Sequence, residues 1–214
     1  MKVATLFSGG KDSVFAAFLC QQAGFDVELL SVVPAEYSTM FHFPNIKWCR
    51  LQAKRMGLKI TFVQPNKKTE EGELAALKAA LAKIKADAVA CGAIESEYQK
   101  ERIDRIAHEL GIPSFSPIWR KGEKLLEEQC KYLEAYIVAV AAEGLDESFL
   151  GKKFDAQFVE YAKTSRLKIS PHLEGGEGET FVVNAPFFSR PIMIKKVEKK
   201  FDGSFGVAKI LSAK

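Results

Sequence analysis

A run of six residues near the start of the chain could bind an anion: Ser8, Gly9, Gly10, Lys11, Asp12 and Ser13. The two glycines let the backbone turn sharply, so N–H groups, serine hydroxyls and the first turn of a following helix can surround a phosphate. Lys11 would add a mobile positive charge, and Asp12 could cap the helix or help to hold Mg²⁺. The run is neither a Walker loop nor a G-x-G-x-x-G loop, so it predicts a phosphate site of another kind.

A second polar group begins at Gly92 and includes Ser96, Tyr98, Gln99 and Arg102. Glycine allows a ligand to approach the backbone closely, and Ser96 can cap a helix whose first turn would carry the other three side chains. A guanidinium at this position would suit a phosphate or a carboxylate. On its own, such a group more often belongs to an ordinary capped helix with a polar surface.

A third group lies between residues 174 and 180, where three carboxylates alternate with three glycines in the sequence EGGEGET. Such a loop is flexible and negatively charged, so it could hold Mg²⁺, an ammonium ion or a cationic substrate group. The candidate residues are Glu174, Gly176, Glu177 and Glu179. Taken alone, this pattern more often forms a solvated acidic turn.

The first two groups must be positioned by the strands and helices that alternate along residues 1–130. Apolar runs predict strands at 2–7, 26–33, 59–63 and 88–91, and amphipathic segments predict helices at 12–23, 45–56, 70–84 and 98–110. This alternation predicts an α/β domain, a doubly wound, Rossmann-like parallel sheet with helices on both faces. Ligands bind at the carboxyl ends of the strands in such sheets, which is where the run at 8–13 would lie.

Residues 131–214 have a different pattern and are predicted to form a smaller α+β C-terminal domain. Segments 122–131 and 154–166 predict helices, and segments 134–142 and 180–184 predict strands. Two further strands, 193–201 and 204–211, flank Asp202-Gly203, a dipeptide that favours a type I′ turn, so they predict a closing hairpin. A homodimer that pairs through this hairpin is compatible with the sequence, and so is a monomer.

The composition narrows the class of protein. The chain has 214 residues, of which 47% are hydrophobic and 27% charged, as in globular proteins. Its four cysteines form no C-x-x-C pair, which argues against a zinc ribbon, an iron–sulfur site or a redox dithiol. The sequence contains neither a membrane-length apolar stretch nor a signal-peptide pattern, so we expect a soluble, cytoplasmic protein with no membrane partner. The net charge of +4 is small and argues against a nucleic-acid partner.

The run at residues 8–13 resembles the SGGxDS signature of the PP-loop, or N-type, ATP pyrophosphatases, whose domains have the HUP fold. Three more segments, GAIESEYQKER from Gly92, PIW from Pro117 and EGGEGETFVVNAPFF from Glu174, resemble the diphthine–ammonia ligase family. The resemblance implies ATP-dependent amidation of diphthine on translation elongation factor 2 through an acyl-adenylate, giving diphthamide, AMP and pyrophosphate. It implies ATP and Mg²⁺ as cofactors. Free ammonium is the expected nitrogen source, because no glutaminase motif is visible.

The resemblance also implies roles for individual residues. The run at 8–13 would hold the phosphates with Asp12 assisting Mg²⁺, and the adenine would rest near Val32 and Val33, with His42 and Gly92 beside the nucleotide. The residues expected to act in catalysis are Lys11, Asp12, Glu177 and Glu179. The acceptor side would be formed by Ser96, Tyr98, Gln99, Arg102, Trp119, Glu174 and Gly176. Trp119 suits the trimethylammonium group of diphthine, whereas His108 and His172 are expected on the surface.

Two other functions stay open from the sequence. A PP-loop enzyme that adenylates another acceptor such as tRNA would use the same run of residues, but it predicts cysteine pairs or a strongly basic accessory domain. A non-catalytic ATP-binding sensor would bind ATP without forming AMP, and it predicts a different glycine pattern at residues 8–13.

Overall fold

The computed structural model describes residues 1–33, 45–67 and 69–214. Its first sheet consists of β1 (Lys2–Leu6), β2 (Asp26–Val32), β3 (Lys59–Val63), β4 (Ala88–Ala90) and β5 (Ser114–Phe115). The strands pair in the order β3-β2-β1-β4-β5, and every pairing is parallel. The order reverses between β1 and β4, which opens a crevice at their carboxyl ends. The predicted doubly wound α/β fold is therefore confirmed.

Four helices cover the two faces of this sheet: α1 (Lys11–Gln22), α2 (Cys49–Met56), α3 (Glu70–Ile84) and α4 (Glu97–Leu110). Apolar side chains of α1 and α2 belong to one buried cluster, and those of α3 and α4 belong to another. The Ser96 hydroxyl accepts a hydrogen bond from the Gln99 N–H at 3.4 Å and so caps α4, as the sequence predicts.

The second sheet is built around β6 (Glu134–Val140). Strand β8 (Gly178–Asn184) pairs antiparallel with one edge of β6, and the other edge pairs with β7 (Lys153–Phe154) and β10 (Gly206–Ala213). The outermost strand, β9 (Ile194–Phe201), pairs with β10. Helices α5 (Gly122–Tyr132) and α6 (Ala156–Thr164) contact each other beside this sheet.

The two sheets meet where β8 runs past the loop that follows β1. The Val182 N–H of β8 donates to the Gly9 carbonyl at 3.1 Å. The buried Gln52 amide bridges the same junction, because its Nε2 donates to the carbonyls of Gly9 and Val182, each at 2.8 Å. The loop after β1 is thus bound to the second sheet through its backbone.

The structure differs from the sequence-based elements at two places. The segment predicted as one helix at 154–166 is β7 followed by α6, because the Asp155 carboxylate accepts from the N–H groups of Gln157 and Phe158 and starts the helix later. The hairpin of β9 and β10 is present, but its turn is not type I′. Gly203 has φ of +101° while Asp202 does not have a positive φ; instead its carboxylate accepts from the Ser204 and Phe205 N–H groups.

The boundary between the two predicted domains at residue 130 stays a prediction. Within the described ranges, no helix is long and apolar enough to cross a membrane.

Candidate functional site

A cavity of about 170 Å³, open to solvent, lies in the crevice between β1 and β4. Its lining includes residues of the N-terminal loop, residues 8–13, and of the acidic loop, residues 174–180. Eleven of the residues selected from the sequence line it: Ser8, Gly10, Lys11, Asp12, Ser13, Gly92, Ser96, Gln99, Glu174, Gly176 and Glu179. The structure therefore brings together three segments that lie far apart along the chain.

Hydroxyl oxygens accept hydrogen bonds from the backbone N–H groups of the N-terminal loop. Ser13 Oγ accepts from the backbone N–H groups of Ser8 and Gly9 at 3.2 and 3.1 Å. The Lys11 N–H donates to Thr180 Oγ1 of β8 at 3.0 Å. Each of these oxygens stands where an anion would accept the same hydrogen bonds, which is what a phosphate cradle requires. Thr180 belongs to this cradle, although nothing in its local sequence indicated that position.

Two glycines of the site are required by close packing. Gly9 has φ of +83°, and a side chain there would meet the Gln52 amide oxygen at 2.3 Å. A Cβ on Gly92 would lie 2.9 Å from the backbone of Asp12 and Ser13. The end of β4 therefore lies directly against the first turn of α1, and only glycine leaves room for this contact.

Lys11 is held in place rather than mobile, which corrects the expectation from the sequence. Its side chain is only 2% exposed. Its Nζ donates to both carboxylate oxygens of Asp12, at 2.9 and 2.7 Å, and to the His172 carbonyl at 2.7 Å. These acceptors use all three ammonium protons. Lys11 thus contributes a fixed positive charge and ties α1 to the loop that carries His172.

The Asp12 carboxylate is oriented from two sides. Besides Lys11, the buried Gln129 amide of α5 donates to Asp12 Oδ1 at 2.8 Å. Both donors reach Oδ1, whereas among the described residues Oδ2 accepts from Lys11 alone. Since Asp12 lines the cavity, Oδ2 is the oxygen with capacity left for a cation. Gln129 is a functional residue that the sequence did not indicate, because its partner lies 117 residues away.

Glu179 differs from the other two carboxylates of the acidic loop. It lines the cavity, and within the described residues its carboxyl group has no hydrogen-bond or ion-pair partner. Desolvation raises the pKa of Glu179 to about 8, and the negative charge of Asp12 adds to this effect. An incoming cation would favour the charged form of this carboxyl.

Glu174 and Glu177 instead accept hydrogen bonds from the backbone. Glu174 Oε1 accepts from the Ile94 N–H at 2.8 Å, and its Oε2 accepts from the Glu95 N–H at 2.9 Å. Glu177 Oε2 accepts from the Ser170 N–H at 2.7 Å, and Glu177 does not line the cavity. Burial raises the pKa of Glu174, which the two N–H groups partly offset. Glu177, expected to be catalytic, therefore holds the acidic loop in shape.

His172 is buried rather than on the surface, which corrects a second expectation. It is 8% exposed, and its Nδ1 has no hydrogen-bond partner in the described part of the chain. Burial, together with the nearby Lys11 ammonium, lowers the pKa of His172. His108 is exposed, as predicted.

Three residues predicted on the acceptor side lie outside the cavity. Tyr98 Oη and Arg102 Nε both donate to the Glu70 carboxylate of α3. The Trp119 ring is covered by the cationic groups of Lys100 and Arg120, 5.7 and 5.4 Å from its centroid. These three side chains join neighbouring surface elements rather than facing the candidate site.

Of the two residues predicted to lie near the adenine, one lines the cavity. Val32 lines the cavity, whereas Val33 follows the end of β2 and its N–H donates to the Val63 carbonyl. Leu6, Leu30 and Ile103 extend this apolar wall. Gly9 packs against Gln52 and does not line the cavity. His42 is outside the described residues.

The residues present fit ATP and Mg²⁺. The apolar wall can take a base, and the cradle of N–H groups and hydroxyls can take its phosphates. The described residues contain no cluster of three or more His, Cys, Asp or Glu that could hold a metal. In nucleotide enzymes, Mg²⁺ is usually held by one or two carboxylates together with the substrate phosphates. Asp12 can supply such a carboxylate.

Comparisons with known proteins match nearly the whole chain. A family model described as the diphthamide synthase N-terminal domain matches residues 1–114, and one described as the diphthamide synthase C-terminal domain matches residues 121–214. The diphthine–ammonia ligase of Homo sapiens is 31% identical over 226 residues, covering 92% of this chain and 84% of that protein. The diphthine–ammonia ligase of Danio rerio is also 31% identical, covering 92% of this chain and 88% of that protein.

A solved structure from Methanocaldococcus jannaschii, described as a predicted subunit of tRNA methyltransferase, has a TM-score of 0.51 and 17% identity. The match covers 87% of this chain and 98% of that chain. At this identity the likeness supports the α/β fold alone.

Proposed function

The chain belongs to the diphthamide synthase family, a family of ligases, and from this premise we propose that it amidates diphthine on translation elongation factor 2 with ammonium. ATP would be the second substrate, and AMP and pyrophosphate the by-products. The single observation that carries this proposal is one cavity that joins a phosphate cradle to a carboxyl group with no partner among the described residues. The phosphate cradle suits the step in which ATP activates the acceptor, and the carboxyl group suits the later step in which ammonia reacts with the activated acceptor.

In the first step, an oxygen of the diphthine carboxylate attacks the α-phosphorus of ATP, and pyrophosphate leaves. The N-terminal loop, the Ser13 hydroxyl and Thr180 would stabilise the charge that accumulates on the leaving group. The fixed Lys11 ammonium lies behind this cradle and adds positive potential without touching the phosphate. The product is an acyl-adenylate, in which AMP is a good leaving group.

In the second step, Glu179 is proposed to bind the ammonium ion and to take one proton from it, since a group with a pKa near the working pH suits general base catalysis. The ammonia nitrogen then attacks the activated carbonyl carbon, AMP leaves, and the second proton passes from the new amide nitrogen to water. Ser96 and Gln99 lie at the start of α4 and would contact the acceptor.

Mg²⁺, when bound, would neutralise phosphate charge, and Asp12 Oδ2 would hold it together with the phosphates, which leaves Glu179 for the ammonium ion. Lys11 and Gln129 keep the Asp12 carboxylate in a single orientation for this purpose. We expect the reaction to take place in the cytoplasm, where the elongation factor acts.

The test combines the protein, ATP, Mg²⁺, ammonium and diphthine-modified elongation factor 2. We expect one AMP for each molecule of factor that is amidated. The mass of the amidated factor should show that a hydroxyl group has been replaced by an amino group. A matched reaction contains the diphthamide form of the factor, which offers no carboxylate and should give no AMP above background.

Other outcomes would replace the proposal with a specific alternative. AMP that forms with tRNA but not with the factor would indicate a PP-loop enzyme of RNA. Tight ATP binding with no AMP under any condition would indicate a sensor. ADP as the product would contradict the adenylation step.

A further inference from the structure

The net charge of the chain is concentrated on the closing hairpin. Residues 194–214 contain six lysines and two acidic residues, a net charge of +4, which equals the net charge of the whole chain. The other 193 residues are balanced, with 25 basic and 25 acidic residues. All six lysines are exposed. The hairpin is therefore a positive surface on an otherwise neutral protein.

One side of the hairpin carries a defined set of these lysines. Directly paired residues of antiparallel strands point to the same face of a sheet. Lys200 pairs with Val207 and Glu198 pairs with Lys209, so these residues share a face, together with Lys196 two positions along β9. We call Lys196, Lys200 and Lys209 the basic face; Glu198 lies among them and its carboxylate is 3.8 Å from Lys200 Nζ, so the face has an excess of two positive charges.

The register of the sheet connects the basic face to the cavity. Lys200 pairs with Val207, Val207 pairs with Ala139, and Ala139 pairs with Glu179. Four strands, β9, β10, β6 and β8, thus place Lys200 and Glu179 in one row on one face. At about 4.8 Å between neighbouring strands, the row spans about 14 Å. A macromolecule that rests on the basic face is within reach of the cavity with a long side chain.

Lysines on an edge strand often serve only to prevent pairing with other sheets. That explanation accounts for β9, which lies at the end of the strand order. It does not account for Lys209, which lies on β10, an inner strand between β9 and β6. The positive charge continues inward from the edge toward the cavity.

We propose that the basic face docks an acidic surface of the protein substrate, so that its modified side chain enters the cavity. This inference rests on the proposed function and adds the surface that recognises the substrate. An RNA partner is less well matched, because single-stranded RNA sites interleave basic groups with stacking aromatic rings. The exposed large hydrophobic residues of the hairpin are mainly aliphatic, Val197 and Leu211, with Phe205 at the turn.

The test compares the wild type with the triple variant Lys196→Glu, Lys200→Glu, Lys209→Glu. With diphthine-modified elongation factor 2 as the substrate, we expect KM for the factor to rise at least about tenfold, with kcat within about twofold. Raising the salt concentration should increase KM steeply for the wild type and weakly for the variant. The triple arginine variant should restore the wild-type KM.

A matched control reverses three exposed lysines on the first sheet and its helices: Lys54, Lys59 and Lys83. This control changes the net charge by the same amount, and it should leave KM for the factor within about twofold. Thermal unfolding and the Kd for ATP check that both variants are folded with an intact nucleotide site.

An unchanged KM in the basic-face variant, with wild-type amidation intact, would overturn the docking proposal and leave the proposed function standing. Loss of binding to a labelled RNA without any change in KM for the factor would overturn it as well, in favour of an RNA surface. If the wild type does not amidate the factor, the proposed function fails. Sedimentation of the chain mixed with the factor, at low and high salt, then tests docking separately. Co-sedimentation with the wild type that is lost in the basic-face variant supports the docking proposal, and no co-sedimentation with the wild type overturns it.

Discussion

The N-terminal loop and the acidic loop line one cavity, but they are stabilised in opposite ways. In the N-terminal loop, Gly9 and Gly10 pack against Gln52 and Thr180, and the backbone N–H groups have hydroxyl partners. In the acidic loop, Gly175 and Gly176 both have positive φ, and among the described residues no atom lies within 4 Å of the point where a Cβ would stand. The N-terminal loop is fixed by close packing, whereas the acidic loop is closely packed only from Gly178 onward, where a Cβ would lie 2.9 Å from the Ala139 carbonyl oxygen.

Because the two loops are stabilised differently, their carboxylates have different roles. The turn at Gly175 and Gly176 lacks close packing, so two carboxylates beside it, Glu174 and Glu177, hold its shape through backbone N–H groups. Glu179, where the loop has become strand β8, keeps its carboxyl free of partners within the described part of the chain. The N-terminal loop is rigid without using a carboxylate for shape, so Asp12 keeps an oxygen for a ligand. The carboxylate oxygens that can bind a ligand are therefore those that do not stabilise the fold, on Glu179 and Asp12.

The largest expected effect comes from Glu179→Gln, which removes the free carboxyl while keeping its size. We expect kcat for amidation to fall by about 10²-fold or more, because the proton acceptor for ammonia is lost. AMP release in the presence of ammonium measures this. Glu177→Gln is the matched control, and it should reduce stability while leaving kcat within about threefold. Equal losses in the two variants would contradict the different roles.

The next effect tests the packing of the N-terminal loop. Gly92→Ala places a methyl group 2.9 Å from the backbone of Asp12 and Ser13, so the first turn of α1 must shift. We expect the Kd for ATP to rise about tenfold and stability to fall by about 1–3 kcal/mol. Calorimetric titration with ATP measures the first quantity.

Gly175→Ala is the contrasting substitution in the acidic loop. It meets no atom of the described residues, and only its φ of +73° is unfavourable, so we expect a loss of about 1 kcal/mol and an unchanged Kd for ATP. If Gly175→Ala weakened ATP binding as much as Gly92→Ala, the two loops would not differ in packing as described.

A smaller effect is expected from Gln129→Leu, which removes one of the two donors that orient Asp12. The loss of one hydrogen bond to a charged group should raise the Mg²⁺ concentration for half-maximal ATP binding about fivefold. ATP binding without metal should hardly change, which separates positioning from a general loss of structure. Gln157→Leu, an exposed position on α6, is the control. Equal effects with and without Mg²⁺ would argue against the positioning role.

The smallest expected effect is a pH-dependent shift in stability. Because the folded pKa of Glu179 is about 8, above that of an unfolded glutamate, unfolding releases a proton between about pH 4.5 and 8. The free energy of unfolding of the wild type therefore falls as pH rises across this range, whereas that of Glu179→Gln lacks this decrease. Without ATP or Mg²⁺, the Tm of the variant minus that of the wild type should grow by about 3–5 °C from pH 7 to pH 8.5. A constant difference would show that Glu179 is not buried in its neutral form.

Much of the site follows from local sequence. A glycine pair between an apolar strand and a helix places the N-terminal loop at a sheet edge, and the alternation of strands and helices predicts the parallel sheet that carries it. The Ser96 cap and the α3 bounds, Glu70–Ile84, were predictable for the same reason, because their partners lie within a few residues.

The tertiary structure decided which of the polar residues face the cavity. Tyr98 and Arg102 turn to Glu70, 28 and 32 residues away, and Glu174 turns to backbone groups 79 and 80 residues away. Thr180 and Gln129 reach the N-terminal loop from the second sheet and from α5. The sequence by itself determined the two loops and the sheet edge where the first must lie, since these depend on neighbouring residues. Which carboxylate stays free depends on distant donors, and only the packing of the whole chain brings those donors to it.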